Sequence, residues 1–208
     1  MAKKSKIKSW KKAVVAGALA TSLGLGFWAS KAFYTVTSVI DGDTFITKEN
    51  RYVRFDSVNA PELDNCLGKE AKEELSKLVL NRKVFLKTSY VDDHKRLIAS
   101  VYTTDGNVGE KMLAKGLATF KDKGTQKGTT LANTQSIAKK AEIGVFSPLC
   151  TQLENPVNSK CNIKGNNKDG VKTYHYPGCS AYKITLVQLY LGDKWFCTQA
   201  EAKKAGFT

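Results

Sequence analysis

Five short segments between residues 33 and 104 constrain the fold of this chain more than any other feature. Each is rich in β-branched and aromatic residues, and they cover residues 34–40, 44–47, 52–55, 84–87 and 97–102. Short runs of this composition, separated by turn residues, predict β-strands. Five such strands fit a small barrel.

Helical periodicity interrupts and then follows these strands. One helix is predicted over residues 67–80, with its apolar residues on one face at Leu67, Ala71, Leu75 and Leu78. Two more are predicted over residues 108–115 and 131–141. Five strands with about three helices in this order predict an α+β fold built on an OB-type barrel, which presents one open face to oligonucleotides.

The charge balance indicates the class of partner. The chain has 33 Lys and Arg against 19 Asp and Glu, which gives a formal net charge of +14. A charge of this size attracts polyanions, so nucleic acid and an anionic membrane surface are the candidates. A hydrophobic content of 42% with 25% charged residues is that of a globular protein and excludes a fibrous or disordered chain.

Residues 1–32 have the organisation of an export signal. Residues 1–12 contain six lysines and no acidic residue, and an uncharged apolar stretch follows over residues 13–29. Small residues around Lys31 suit cleavage after Ala32, yet the apolar run is nearly long enough to span a bilayer. Signal peptide and membrane anchor both stay open, and either predicts a protein that is secreted or anchored to the outer face of the cytoplasmic membrane.

If the protein is exported, its cysteines are expected to form disulfides, because thiols outside the cytoplasm tend to pair. Two cysteines lie in the first part of the chain and three in the last, which predicts one disulfide in each part and one free or metal-bound thiol. They are Cys66, Cys150, Cys161, Cys179 and Cys197. Zinc bound by the last three with His175 is the alternative, although no close C-x-x-C pair is present.

Residues that suit phosphodiester chemistry occur at three places. Asp41 and Asp43 flank Gly42 between the first two strands, where their oxygens suit a hard divalent cation, although Asp-Gly is also a common hairpin turn. A strand carrying Arg54 leads through a proline turn to Glu62, and Arg96 begins the fifth strand. Hydrolysis needs a cation, donors for the charged phosphate oxygens and a base that orients water. Asp43 with a metal, both arginines and Glu62 would meet those needs, although each alone has a surface ion-pair explanation.

These residues also carry a family resemblance. Residues 35–149 resemble the staphylococcal nuclease (thermonuclease) family through I-D-G-D-T at Ile40, V-R-F-x-x-V-N-A-P-E at Val53, G-K-E-A at Gly68, K-R-L-I-A at Lys95 and G-L-A at Gly116. The resemblance implies an OB-fold nuclease that hydrolyses phosphodiester bonds of DNA, RNA or both, depends on Ca²⁺ and acts as a monomer. Membrane contact is expected only through an uncleaved N-terminal segment.

The resemblance also implies a role for each site residue. Arg54 and Arg96 would bind phosphate and stabilise the transition state, and Glu62 would be the general base or orient the attacking water. Four residues would form the metal site, with Asp43 and the Ala60 carbonyl as direct ligands, Asp41 in support and Asn59 as a further oxygen donor.

The sequence departs from the family pattern in two places. Asn59 stands where the type member has a second aspartate, so Ca²⁺ affinity should fall. After Gly116, base-stacking tyrosines of the type member are missing, and phosphate contacts are expected from three lysines instead, namely Lys95, Lys121 and Lys123. A catalytically degenerate OB-fold that binds nucleic acid at the cell surface is therefore the alternative function.

The remaining residues predict four segments in all: a signal or anchor at 1–32, the barrel at 33–149, a linker at 150–160 and a small α+β module at 161–208. Strands are predicted at 171–175 and 194–197, a turn or loop at 166–170, and a final helix that begins with a capping box. The module resembles one that follows nuclease domains in exported bacterial proteins. Polyanion binding and a purely structural cap both remain open for it.

Overall fold

The computed structural model describes residues 33–121 and 129–208. The predicted export segment and Lys123 lie outside the described residues, so both stay predictions. Phe33–Thr208 forms one compact unit. Within the described part, no helix is long and apolar enough to cross a membrane.

The predicted five-stranded barrel is confirmed. The strands of the first part are β1 (Phe33–Val39), β2 (Thr44–Thr47), β3 (Tyr52–Phe55), β4 (Val58–Asn59), β5 (Lys83–Val91), β6 (Leu97–Thr103), β7 (Gly106–Asn107) and β8 (Thr119–Phe120). The main sheet has the order β3-β2-β1-β5-β6-β7, and a parallel pairing of β3 with β6 closes it. The short strands β4 and β8 form a separate antiparallel pair.

Inward-facing residues alternate with exposed residues along these strands, as a half-buried sheet requires. In β5, Val84 and Leu86 are buried while Lys83, Phe85 and Lys87 are exposed. The buried residues of the strands share one core with those of the first two helices. The period-2 pattern of the sequence therefore identifies the side chains that point into the barrel core.

Three helices accompany the barrel, as predicted: α1 (Gly68–Val79), α2 (Val108–Ala114) and α3 (Thr129–Lys140). The predicted apolar face of the first helix is wrong at Leu67, which is the N-cap residue with φ 63° and lies outside the helix. Its side chain packs instead against a second buried cluster. The first residue of the helix is glycine because a Cβ on Gly68 would lie 1.9 Å from the carbonyl oxygen of Glu62.

The C-terminal residues form a small α+β module, as predicted. It contains β9 (Thr151–Gln152), β10 (Ile163–Lys168), β11 (Val171–His175), β12 (Val187–Gln188), β13 (Lys194–Phe196) and α4 (Gln199–Lys204). The central strand β10 pairs with β11 and β13, and β9 pairs with β12. The predicted capping box is confirmed, since the Thr198 hydroxyl accepts from the Glu201 amide and the Glu201 carboxylate accepts from the Thr198 amide.

Two expectations for this region need correction. Residues 166–168, predicted as turn or loop, continue β10, because pairing of Asn167 with Lys172 outweighs the turn preference of the two asparagines. The turn is confined to Asp169 and Gly170, which have φ 51° and 88°. Strand β9 lies inside the predicted linker and pairs with β12.

Two disulfides hold the unit together. Cys66 is bonded to Cys150 and Cys161 to Cys197, which leaves Cys179 as the free cysteine. The zinc alternative is wrong because two of its four ligands are bonded to each other. The first disulfide lies in the second buried cluster, in which Val145, Cys150 and Tyr190 join the barrel to the C-terminal module.

Candidate active site

Asp43 lies at the centre of a buried polar cluster at the edge of the barrel and is only 2% exposed. Its Oδ1 atom accepts hydrogen bonds from the Thr44 hydroxyl, at 2.8 Å, and from the Arg54 guanidinium. Its Oδ2 atom accepts from the backbone amide of Ala60 at 2.9 Å. The carboxylate is therefore held in one orientation by donors from β2, β3 and the turn after β4.

The loop between β1 and β2 brings Asp41 to the same cluster. The backbone amide of Asp43 donates to the Asp41 carboxylate at 3.0 Å. Gly42 is absent from the glycines with positive φ, so an ordinary Asp-Gly hairpin turn does not explain it. A Cβ on Gly42 would lie 2.5 Å from the Ala60 Cβ and 2.6 Å from the Ala71 Cβ. The glycine is needed because the loop packs directly against the turn after β4 and against α1.

Arg54 connects the two halves of the cluster. The register of β2 and β3 places it opposite Thr44, beside Asp43. Its Nη1 atom donates to Asp43, and its Nη2 atom donates to the Asn59 side-chain oxygen at 2.9 Å. The side chain remains 26% exposed. The guanidinium is thus fixed on one side and open to solvent on the other.

The electrostatics of this cluster favour a cation. Burial raises the pKa of Asp43 to about 6; the nearby Arg54 charge opposes this rise and the Asp41 charge adds to it. A carboxylate whose ionised form is disfavoured by burial gains from an additional positive charge. Asp41, Asp43 and Asn59 offer only oxygen donors, which fit a hard cation such as Ca²⁺. The described residues contain no group of three or more His, Cys, Asp and Glu side chains that could hold a metal, so amide and backbone oxygens would have to complete the ligand set.

Glu62 is exposed to solvent and follows the buried Pro61. Its backbone is fixed, because its carbonyl accepts from the Asn65 amide at 2.9 Å and packs against Gly68. The proline turn therefore fixes the Glu62 backbone beside the start of α1, two residues after the Ala60 amide that orients Asp43.

Arg96 is placed differently from the other predicted catalytic residues. Its Nε and Nη2 atoms both lie 2.8 Å from the Asp92 carboxylate, which also accepts from the Arg96 amide. None of its hydrogen bonds in the described part reaches the Asp43 cluster. The parallel pairing of β3 with β6 puts Val53 opposite Leu97, so Arg96 begins the strand that neighbours Arg54.

The two predicted phosphate-binding lysines that the structure describes, Lys95 and Lys121, lie on the surface. Lys95 is exposed in the turn before β6, with φ 61°. Lys121 follows β8 and forms an ion pair with Asp169 of the C-terminal module at 3.1 Å. Neither lysine contacts the Asp43 cluster.

Sequence reasoning missed two residues that orient the site. Thr44 is buried and donates to Asp43, and its place directly after the second aspartate was a usable signal. Asp92 orients Arg96, and no sequence signal indicated this pair, because the turn between β5 and β6 brings them together. A third residue, Asp169, had no signal, because only the fold brings it near Lys121.

Comparison with known proteins gives matches to the barrel. Residues 52–148 match the family described as staphylococcal nuclease homologue, a segment that contains Arg54, Glu62 and Arg96 and begins after Asp43. An uncharacterized 38.1 kDa protein of Capnoides sempervirens is 32% identical over 119 residues, which cover 56% of this chain and 34% of that protein. The probable endonuclease LCL3 of Verticillium alfalfae is 28% identical over 145 residues, covering 62% of this chain and 50% of that protein. The chain thus spans from a third to half of the length of these relatives.

Proposed function

We propose that this protein, which carries a domain of the staphylococcal nuclease-like family, is an exported, Ca²⁺-dependent nuclease that hydrolyses phosphodiester bonds of DNA, RNA or both. The observation that carries the proposal is the buried Asp43 carboxylate, bound by Arg54 and flanked by Asp41 and Asn59. This arrangement combines an oxygen-rich cation site with an arginine that is open to an anionic ligand.

The residues around Asp43 would have separate roles in hydrolysis. Thr44 and the Ala60 amide keep the Asp43 carboxylate in place. A bound Ca²⁺ would polarise the phosphoryl group and offset the charge that develops on its oxygens. Asp43, Asp41, Asn59 and the Ala60 carbonyl would hold it. Asn59 contributes no charge, so the site is expected to need a higher Ca²⁺ concentration than one with a third carboxylate.

The arginines and Glu62 act on the substrate itself. The exposed edge of the Arg54 guanidinium is directed by its bonds to Asp43 and Asn59, so it can donate to phosphate oxygens without reorganising. Arg96 is oriented in the same manner by Asp92. The exposed Glu62 carboxylate orients the attacking water and accepts its proton.

Two features support export. The basic and apolar composition of residues 1–32 is that of a signal or anchor segment. Both disulfides, Cys66–Cys150 and Cys161–Cys197, are typical of an oxidising compartment. Secretion and anchoring to the outer face of the membrane are equally compatible with these features.

The test is cleavage of single-stranded DNA, duplex DNA and RNA by Phe33–Thr208, with EDTA, with Ca²⁺ titrated into the millimolar range, or with Mg²⁺. The matched variant is Glu62→Gln, which keeps the shape of the side chain and removes the base. We expect Ca²⁺-dependent products and a loss of about 100-fold or more in the variant. Cleavage that survives EDTA would contradict the metal requirement, and near-normal turnover of the variant would remove Glu62 from the mechanism.

A specific observation favours the second candidate function, a nucleic-acid-binding protein without catalysis. Asn59 replaces a carboxylate, and Arg54 already neutralises Asp43. In that case the cleavage assay yields no products at any metal concentration, while the same strands still bind to the protein.

A further inference from the structure

The turn between β10 and β11 lies beside the strands that carry part of the active site. Asp169, in this turn, accepts a hydrogen bond from Lys121 at 3.1 Å. Lys121 directly follows β8, which pairs with β4 by placing Thr119 opposite Asn59. Asn59 is the residue that orients Arg54. The tip of the hairpin thus contacts the residue that directly follows this strand pair, two residues after Thr119.

The C-terminal module also contacts the loop that follows Glu62. Asn65, three residues after Glu62, donates to the Tyr190 carbonyl of the C-terminal module at 3.3 Å. A Cβ on Gly192 would lie 3.6 Å from the side-chain nitrogens of both Asn65 and Asn167. Gly192 therefore lies between strand β10 and the loop that follows Glu62, so the C-terminal module contacts both.

The hairpin is held rigidly in this position. Asp193 is buried, and its carboxylate accepts from the Asn166 side chain at 2.8 Å, the Asn167 amide at 2.7 Å and the Gln188 amide at 2.8 Å. At the base of the hairpin, Lys164 is buried and donates to the carbonyls of Tyr182 and Thr185. A surface fixed in this manner loses little entropy when it binds a ligand.

The charge of the module suits a phosphate backbone. Residues 161–208 contain seven lysines and three acidic residues. Lys168 is exposed at the end of β10, beside Asp169. The Lys121–Asp169 pair is 67% and 73% exposed, so it contributes little to stability and a phosphate can replace the carboxylate.

We propose that the β10–β11 hairpin is one wall of the groove that binds the nucleic-acid strand, where Lys168 contacts a phosphate and Asp169 restrains Lys121 until a phosphate displaces it. This inference rests on the proposed nuclease function. It assigns to the C-terminal module a share in substrate binding, next to the active site and separate from the chemistry.

The test measures binding of a fluorescent single-stranded DNA by Phe33–Thr208, which contains both disulfides and both cores, in a Glu62→Gln background across a salt series. Lys168→Gln removes one phosphate contact, so we expect affinity to fall about 3- to 10-fold and the slope of log K against log salt to fall by about 0.7 to 1. Asp169→Asn frees Lys121, and we expect affinity to rise up to about 5-fold.

The matched control is Lys183→Gln. Lys183 is exposed and lies in the loop that binds Lys164 at the base of the hairpin. Strand rise separates Lys164 from Lys168 at the tip by about 13 Å. We expect no change in its salt slope. Unchanged melting temperatures of all three variants show that each is folded.

Equal losses in Lys168→Gln and Lys183→Gln, or weaker binding by Asp169→Asn, would overturn the hairpin proposal. If the unsubstituted unit cleaves DNA while the hairpin variants bind like their parent, the hairpin proposal alone fails. If the unsubstituted unit neither binds nor cleaves, the proposed function fails and the hairpin proposal with it.

Discussion

Replacing Cys66 and Cys150 together by alanine removes the longer of the two covalent loops in the protein. The bonded residues are separated by 84 positions, and the other disulfide, Cys161–Cys197, spans 36. Closing a loop reduces the entropy of the unfolded chain by an amount that grows with the logarithm of its length. This relation gives about 4.6 kcal/mol for the first loop and about 3.8 kcal/mol for the second at 25 °C.

Equilibrium urea unfolding of Phe33–Thr208, followed by tryptophan fluorescence, measures these losses. We expect the Cys66/Cys150 variant to lose about 4 to 5 kcal/mol, and more than the Cys161/Cys197 variant, because Cys150 is also fully buried in the second cluster. A loss below about 2 kcal/mol, or the reverse order of the two variants, would refute the loop-entropy reasoning.

The two disulfide variants should also differ in activity. Cys66 follows Glu62 by four residues, and its amide lies 3.5 Å from the Leu189 carbonyl of the module. Without the disulfide this loop is held less firmly, so kcat should fall while the affinity for DNA changes little. The Cys161/Cys197 variant should keep its kcat where it is folded. Equal kcat values in both variants would show that the disulfide does not position Glu62.

Three further predictions concern the Asp43 cluster. Because the pKa of Asp43 is about 6 in the folded protein and 3.8 when unfolded, the unfolded state releases its proton first as pH rises. The free energy of unfolding should therefore fall by up to about 3 kcal/mol between pH 4 and pH 6 in the absence of metal, and urea unfolding of Asp43→Asn should lack this step. Arg54→Lys should lower kcat/KM by about 100-fold or more, since an ammonium cannot bridge Asp43, Asn59 and phosphate; a mild effect would remove Arg54 from transition-state binding. Gly42→Ala should cost about 1 to 3 kcal/mol in thermal unfolding through its contacts with Ala60 and Ala71, and Ala71→Gly should recover part of it.

Local patterns predicted the barrel because its strands obey short-range rules. The alternation of Val84, Phe85 and Leu86 is visible in the sequence and is repeated in the burial of β5. The same rules gave a wrong prediction at Leu67, an apolar residue at helical spacing that lies outside the helix and packs against the second buried cluster. Periodicity cannot distinguish two cores that meet at the end of one helix.

The site was predictable only as a set of residue types. Asp43 and Arg54 were candidates from their chemistry and Asn59 from the family resemblance, and the structure joins them by direct hydrogen bonds. The separate placement of Arg96 with Asp92 and the contact of Lys121 with Asp169 depend on long-range pairing that no local pattern encodes. The predicted bridge in the first part is found between its two cysteines, but which two of the three later cysteines pair was hidden for the same reason.

The second buried cluster sets a limit on how this protein can be divided. A truncation after Pro148 would follow the boundary of the family match but would remove Cys150 and Tyr190. Cys66 would then be an unpaired thiol, and its loop would no longer pack against the second buried cluster. Such a fragment would expose apolar surface and a free thiol four residues after Glu62. The barrel therefore cannot be transferred to another protein by itself, and any recombination would have to carry the C-terminal module along.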